Sequence, residues 1–292
     1  MTSMVTRRAL CLTAALLLAA CGKKEDAAPA GASAAASGAA SGKVYVVGTD
    51  AAYAPFESQD EKGNLVGFSI DLMRAVATKG GFEIRFVNTP WEGIFNALAQ
   101  GDRDIVISSV TITDKRHETM DFSDPYFDAR QLIAVRKDST VAKFDDLRKL
   151  QVGVQTGTTG DEVMKTLQGE TSTSIKRFES TPLALKELES GGVDAVVADN
   201  GVVSHYVAHN TAAFKTVNDP SFAREKYGIA VRKGNAELLA KINQGLAAAR
   251  TDGTYDRLYT QYFGAPTQAP SDRKSTRLNS SHTDISRMPS SA

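Results

Sequence analysis

The sequence predicts an α/β protein of two similar lobes, with the second lobe inserted into the first. Three observations lead there. Short apolar strand candidates alternate with amphipathic helix candidates, the pattern of an α/β fold. The order strand, helix, strand, helix, strand occurs twice, over residues 44–110 and again over 152–198. Two near-identical pentapeptides, Ile133-Ala134-Val135-Arg136-Lys137 and Ile229-Ala230-Val231-Arg232-Lys233, bracket the second run. They predict two extended crossings between the lobes, and two crossings make a hinge, because few residues then absorb the rotation.

Each element has its own local reason. Val44 to Val47 reads as a strand ending at Gly48. Ser69 is expected to cap a helix whose apolar face is Ile70, Met73, Val76 and Ala77, with Gly80-Gly81 as its stop. Glu83 to Val87 is the second strand. Thr89-Pro90-Trp91-Glu92 combines a cap, a proline at the first helical position and a glutamate three residues after the cap. That helix runs to about Gln100, and Gly101 ends it. Asp104 to Val110 is the third strand, and its continuous run Ile105-Val106-Ile107 suits a sheet covered on both faces. The second unit repeats the order. Val152 to Val154 is a strand, Thr159-Gly160-Asp161-Glu162 opens a helix with a second capping box, and Ile175 to Phe178 is a strand. Thr181-Pro182 opens a helix ended by Gly191-Gly192, and Asp194 to Ala198 closes the unit as an apolar strand.

The two ends of the 292-residue chain stand apart from this pattern. Arg7 and Arg8 precede an apolar run from Ala9 to Ala20, which falls short of the roughly 20 residues a membrane span needs. The run ends in Leu18-Ala19-Ala20-Cys21, which resembles a bacterial lipobox. That resemblance implies a cleaved leader over 1–20 and a lipid on Cys21. Of the two cysteines, Cys11 would leave with the leader, so no internal disulfide is expected. Residues 22–42 are almost all Ala, Gly, Ser and Pro and cannot bury enough apolar surface to fold. Residues 21–42 therefore read as the lipidated cysteine and a flexible tether. Residues 267–292 read as a disordered tail, and from Asp272 it resembles the in-frame translation of a sequencing adaptor. The lobe boundaries are expected at 43–135 plus 231–266 for the first and 136–230 for the second. Thirty-four basic residues balance thirty-four acidic ones without a basic block, which argues against a nucleic-acid partner.

Seven motifs in order carry a more specific resemblance. They are GTDAAYAPFE, GFSIDLMRAV, PWEGIFNAL, DIVISSVTITDKR and DFSDPYF in the first lobe, then VGVQTGTTGDEV and GGVDAVVADNGVV in the second. Together they resemble family 3 of the bacterial extracellular solute-binding proteins, of type II periplasmic binding protein fold, across essentially the whole folded region. One departure is Ser69, where the family usually has an acidic residue.

The resemblance implies the substrate-binding component of an amino-acid ABC importer. It implies a periplasmic or cell-envelope location, lipid anchoring to a membrane, permease transmembrane subunits as partners, a monomer, and no cofactor or metal. Such a protein must hold a zwitterion, and burying either charged end without a partner is very costly. By resemblance Arg116 takes the ligand carboxylate, since its planar fork matches one, with Ser109 and Thr111 adding donors. Thr158 and Thr159 lie at a helix start, where free N–H groups favour an anion. Asp199 ends an apolar strand and is the partner for the ammonium, with Ser108 as a further acceptor. Tyr53, Trp91 and Phe56 would grip the side chain. Asp50 is then an unbalanced carboxylate beside aromatic rings, which suits a cationic side chain. Gln155 and Gly160 also resemble the arginine-binding pattern.

Plainer readings exist for each. Arg116 is a surface helix charge, Asp50 a loop cap, Asp199 a turn residue, Trp91 core packing, and the threonines helix caps. His205 and His209 have the i, i+4 spacing of a metal pair but no third ligand in view. Binding of a polar neutral amino acid such as glutamine is an alternative, as is an enzyme on this fold, such as a cyclohexadienyl dehydratase. No nucleophile–histidine pair speaks for catalysis, so an enzyme is not expected.

Overall fold

A computed structural model describes residues 42–264. The expected leader, the Cys21 anchor, the tether and the tail lie outside the described residues.

Two five-stranded sheets organise the chain. The first has the order Glu83–Asn88, Val44–Thr49, Ile105–Val106, Ala230–Arg232, Met120–Phe122. Its first three strands are parallel and the last two run antiparallel to their neighbours. The second sheet has the order Ile175–Phe178, Val152–Gln155, Ala195–Asp199, Gln131–Arg136, Phe214–Val217. Again three strands are parallel and the fourth is antiparallel to the third. The repeated order of elements is therefore a repeated sheet.

Continuous apolar runs have the predicted cause. Ile105 and Ile107 join the cluster on one face of the first sheet, with Phe68, Leu72, Met73 and Val76 of the helix Phe68–Gly80. Val106 joins the other face, with Ile94 and Leu98 of the helix Trp91–Gln100. In the second sheet Ala195 and Val197 face one cluster, and Val196 and Ala198 the other. Both sheets are thus covered on both faces, and adjacent residues of one strand enter different cores.

The crossings are not where the pentapeptides predict them. Ile133 to Arg136 lies inside the second sheet and Ala230 to Arg232 inside the first, each antiparallel to the third parallel strand of its lobe. The repeat marks equivalent strands, not the crossings. The chain passes between sheets at Phe127–Ala129 and Glu225–Tyr227, which pair as a two-stranded antiparallel ribbon. Residues 131–135 accordingly belong with the second sheet, and residues 229–230 with the first.

Three expected caps are also corrected. The helix Phe68–Gly80 starts at Gly67, with no side-chain cap. Gly67 has φ +127°, and a Cβ there would sit 2.2 Å from the carbonyl oxygen of Phe56, so only glycine fits. Ser69 is fully buried instead, with Oγ 3.4 Å from the Tyr126 hydroxyl. The helix Trp91–Gln100 starts at Pro90 without a side-chain cap. The Thr89 hydroxyl is taken by Val87 O at 3.0 Å and by Arg103 Nε at 2.9 Å. In the helix Thr159–Gln168 the cap is Thr158, whose Oγ1 accepts from Asp161 N, rather than Thr159.

Candidate ligand-binding site

The C-terminal ends of the parallel strands of both sheets point at one gap, where open α/β folds bind ligands. Asp50 follows the strand Val44–Thr49. Ser108, Ser109 and Thr111 follow Ile105–Val106. Gln155 and Asp199 are the last residues of Val152–Gln155 and Ala195–Asp199. Trp91 opens its helix, Arg116 sits in the short helix Asp114–His117, and Thr158 and Thr159 open theirs. With Tyr53, these residues line a single cleft. All eleven residues predicted from the sequence are there. Phe56 is not; it is fully buried in the first core, ringed by Phe68, Phe127, Tyr227 and Phe263.

Among the described residues Arg116 is the only basic side chain lining this cavity. Its guanidinium lies 5.3 Å from the ring centroids of both Trp91 and Phe95. Nη1 donates to Thr111 O at 2.8 Å and Nη2 to Gly157 O at 3.4 Å. Two aromatic faces and two carbonyls thus fix the plane of the fork and leave further N–H donors for a ligand. Burial lowers the Arg116 pKa, while Asp199 and Glu225 raise it.

Asp199 lies across the gap and is buried. Its Oδ2 accepts from the hydroxyls of Tyr53 at 2.8 Å and Tyr227 at 2.5 Å, and its Oδ1 from Gln131 Nε2 at 2.6 Å. Burial pushes its carboxyl up to about 6, with the charge of Glu225 adding to the shift and the three donors opposing it. Asp50 is half-buried, and desolvation raises its pKa against hydrogen bonds from Gln155 and the Trp91 backbone. Gln155 Nε2 reaches Asp50 Oδ2 at 3.4 Å. The rest of that amide is held by Glu179 O at 3.0 Å and the Thr181 hydroxyl at 3.0 Å.

All of the serine and threonine hydroxyls of the site but that of Ser109 have partners inside the protein. Thr111 Oγ1 and Thr159 Oγ1 both donate to Glu225 Oε2, at 2.9 and 2.8 Å. Thr158 Oγ1 donates to Gln155 O at 2.8 Å. Ser108 Oγ accepts from Asp50 N at 3.0 Å. Ser109 has φ +48°, a left-handed conformation rare outside glycine, and its hydroxyl has no partner. The donors facing an anion are therefore Arg116 and the backbone N–H groups at the start of Thr159–Gln168, rather than the expected Thr111 hydroxyl.

Sequence reasoning missed four residues. Gln131 pairs directly opposite Asp199 in the second sheet. Tyr227 and Glu225 come from the hinge ribbon. Glu57 is fully buried beside Ser69 and Ser109 with neither carboxyl oxygen hydrogen-bonded, and burial pushes its pKa up to about 8. Glu57 stood within a quoted motif, yet nothing in that motif says it is buried. The rings of His205 and His209 lie 4.5 Å apart on one helix, tilted at 46°, and His209 Nδ1 lies 2.7 Å from His205 O. Among the described residues no group of three ligand-type side chains assembles around them.

The likeness to known proteins covers the same region. The family model of bacterial extracellular solute-binding proteins, family 3, matches residues 45–265. A probable histidine-binding protein of Neisseria gonorrhoeae is 49% identical over 85% of this chain and 91% of its own length. The solved arginine-, lysine-, histidine-binding protein ArtJ of Geobacillus stearothermophilus superposes with a TM-score of 0.74 at 43% identity, covering 76% of this chain and 96% of that one. An ancestral arginine-binding protein solved with arginine bound gives a TM-score of 0.72 at 45% identity, over 76% and 98%.

Proposed function

The chain belongs to family 3 of the bacterial extracellular solute-binding proteins, and from that premise we propose that it captures a free basic amino acid for an ABC importer. The observation that carries this reading is the charge pattern of one cavity. Arg116 is its lone lining cation among the described residues, Asp50 and Asp199 both line it, and Glu225 stands behind with its carboxylate on Thr111 and Thr159. An α-carboxylate answers Arg116 and an α-ammonium answers Asp199. Of the lining carboxylates Asp50 is then left over, with Glu225 adding negative charge behind it, and a guanidinium, ammonium or imidazolium on the side chain answers Asp50. Arginine and lysine, named for the relatives, carry that charge, and histidine acquires it on protonation.

The test is a thermal-shift screen of the free amino acids. Arginine, lysine and histidine raise the melting temperature, because a ligand at a hundredfold its Kd adds about 2.7 kcal/mol to stability. A shift with only neutral or acidic amino acids removes the role given to Asp50. No shift with any amino acid removes the reading. An enzyme of the cyclohexadienyl dehydratase kind is the competing class, and product formation from such substrates would establish it.

The same reading places the protein in the cell envelope, as a monomer, with Cys21 lipidated and tethered to a membrane. Metabolic labelling with a fatty acid tests the anchor. Label that persists in Cys21→Ser contradicts it.

A further inference from the structure

Glu225 touches both sides of the cleft from the hinge. It begins the strand Glu225–Tyr227, one of the two segments that cross between the sheets. Its Oε2 accepts the hydroxyl proton of Thr111, which is fastened beside the hinge in the first lobe by a bridge to Tyr227. The same oxygen accepts the hydroxyl proton of Thr159, at the head of a second-lobe helix. Its Oε1 accepts from Gln131 Nε2 at 3.0 Å, and that amide also donates to Asp199 Oδ1.

A threonine hydroxyl has one hydrogen and two lone pairs. With that hydrogen held by a carboxylate, the oxygen offers the cavity only acceptor character. Gln131 Nε2, whose two hydrogens face the Asp199 and Glu225 carboxylates, also crowds Thr159 Oγ1 at 3.1 Å, whereas Thr111 Oγ1 accepts from no donor among the described residues and is free to accept from a ligand. Resting on the amino-acid-binding reading above, we propose that Glu225 is a positioning residue that sets the hydrogen-bond polarity of the cleft: by holding the hydroxyl protons of Thr111 and Thr159, it turns Thr111 into an acceptor for the ligand ammonium and leaves the carboxylate to Arg116 and backbone N–H groups.

Titration calorimetry with arginine on the full chain tests this with five proteins: wild type, Glu225→Gln, Glu225→Asp, Thr111→Val, and the Glu225→Gln/Thr111→Val double variant. Glu225→Gln weakens binding by about tenfold, since a hydrogen bond to a charged group is lost and the hydroxyl is free to turn. Glu225→Asp keeps the charge but withdraws its reach, and weakens binding to a similar degree. Because the effect passes through Thr111, the double variant binds no more than about threefold worse than the weaker single one, the mark of coupled neighbours. Additive losses, or an aspartate variant that binds like wild type, would show that Glu225 acts as a bulk charge and overturn the proposal. Wild-type affinity in Glu225→Gln overturns it as well. Should Glu225→Gln fail to fold, the aspartate variant alone decides. A wild-type protein that binds no amino acid fails the functional reading first, and that outcome is distinct from the others.

Discussion

At the scale of single residues, three carboxyls share a low-dielectric region but have different tasks. Asp199 must be ionised to meet an ammonium, yet burial pushes it up to about 6. Below that pH a proton has to leave before the ligand binds, so the apparent Kd for arginine rises about tenfold per pH unit. Calorimetry between pH 4.5 and 7.5 checks this, and Asp199→Asn abolishes the dependence along with most of the affinity. Asp50 acts on specificity. Asp50→Asn should cost arginine about tenfold or more while leaving glutamine within about threefold, as expected when one buried charge loses its partner. Glu57 works on stability. Its carboxyl stands at about 8 in the folded chain against 4.5 ordinarily, so between those values the folded state holds a proton that the unfolded state has released. Stability is therefore fully present below about 4.5 and declines as pH rises toward 8. Glu57→Gln removes that component, and urea melts should show it gaining on wild type by at least about 1 kcal/mol at pH 8, where one pKa unit is about 1.4 kcal/mol.

At the scale of elements, the sheets were legible in the sequence and the caps were not. Ile105-Val106-Ile107 is apolar because its neighbours face different cores, and a continuous run states that directly. Caps are settled by tertiary neighbours. Ser69 sits under Tyr126, and Thr89 is drawn to Val87 and Arg103, so both look like caps and neither is one. The pentapeptide repeat marked equivalent strands, but similarity between segments does not say which of them crosses. Strand-end site residues such as Asp199 and Gln155 could be read because an apolar run stops on a polar residue. Glu225 could not, since it meets Gln131 across 94 positions of chain and Thr111 across 114. The start of the helix Phe68–Gly80 offers a direct check. Gly67→Ala forces a Cβ against Phe56 O at a positive φ, and chemical denaturation should report a loss of about 2 kcal/mol or more.

At the scale of the whole molecule, the ligand site and the hinge are one assembly. Trp91 Nε1 donates to Thr156 O at 3.1 Å, Tyr53 to Asp199, and Arg116 to Gly157 O. Each of these bonds runs from the first lobe to the second, so the lobes are closed here. Opening must break them, and a ligand that replaces them with charged contacts shifts the population back toward closure. Only the ribbon of Phe127–Ala129 and Glu225–Tyr227 needs to absorb the rotation. The closed cleft is what a permease would recognise, and on the proposed reading it is most populated when both ends of the amino acid are held at once. Titration of arginine against agmatine, the same molecule without its carboxylate, tests that dependence most directly. Agmatine should bind about a hundredfold more weakly or worse, because the Arg116 guanidinium is then left buried without its anion. Equal affinity for the two would show that Arg116 does not hold the carboxylate, and the account would fail.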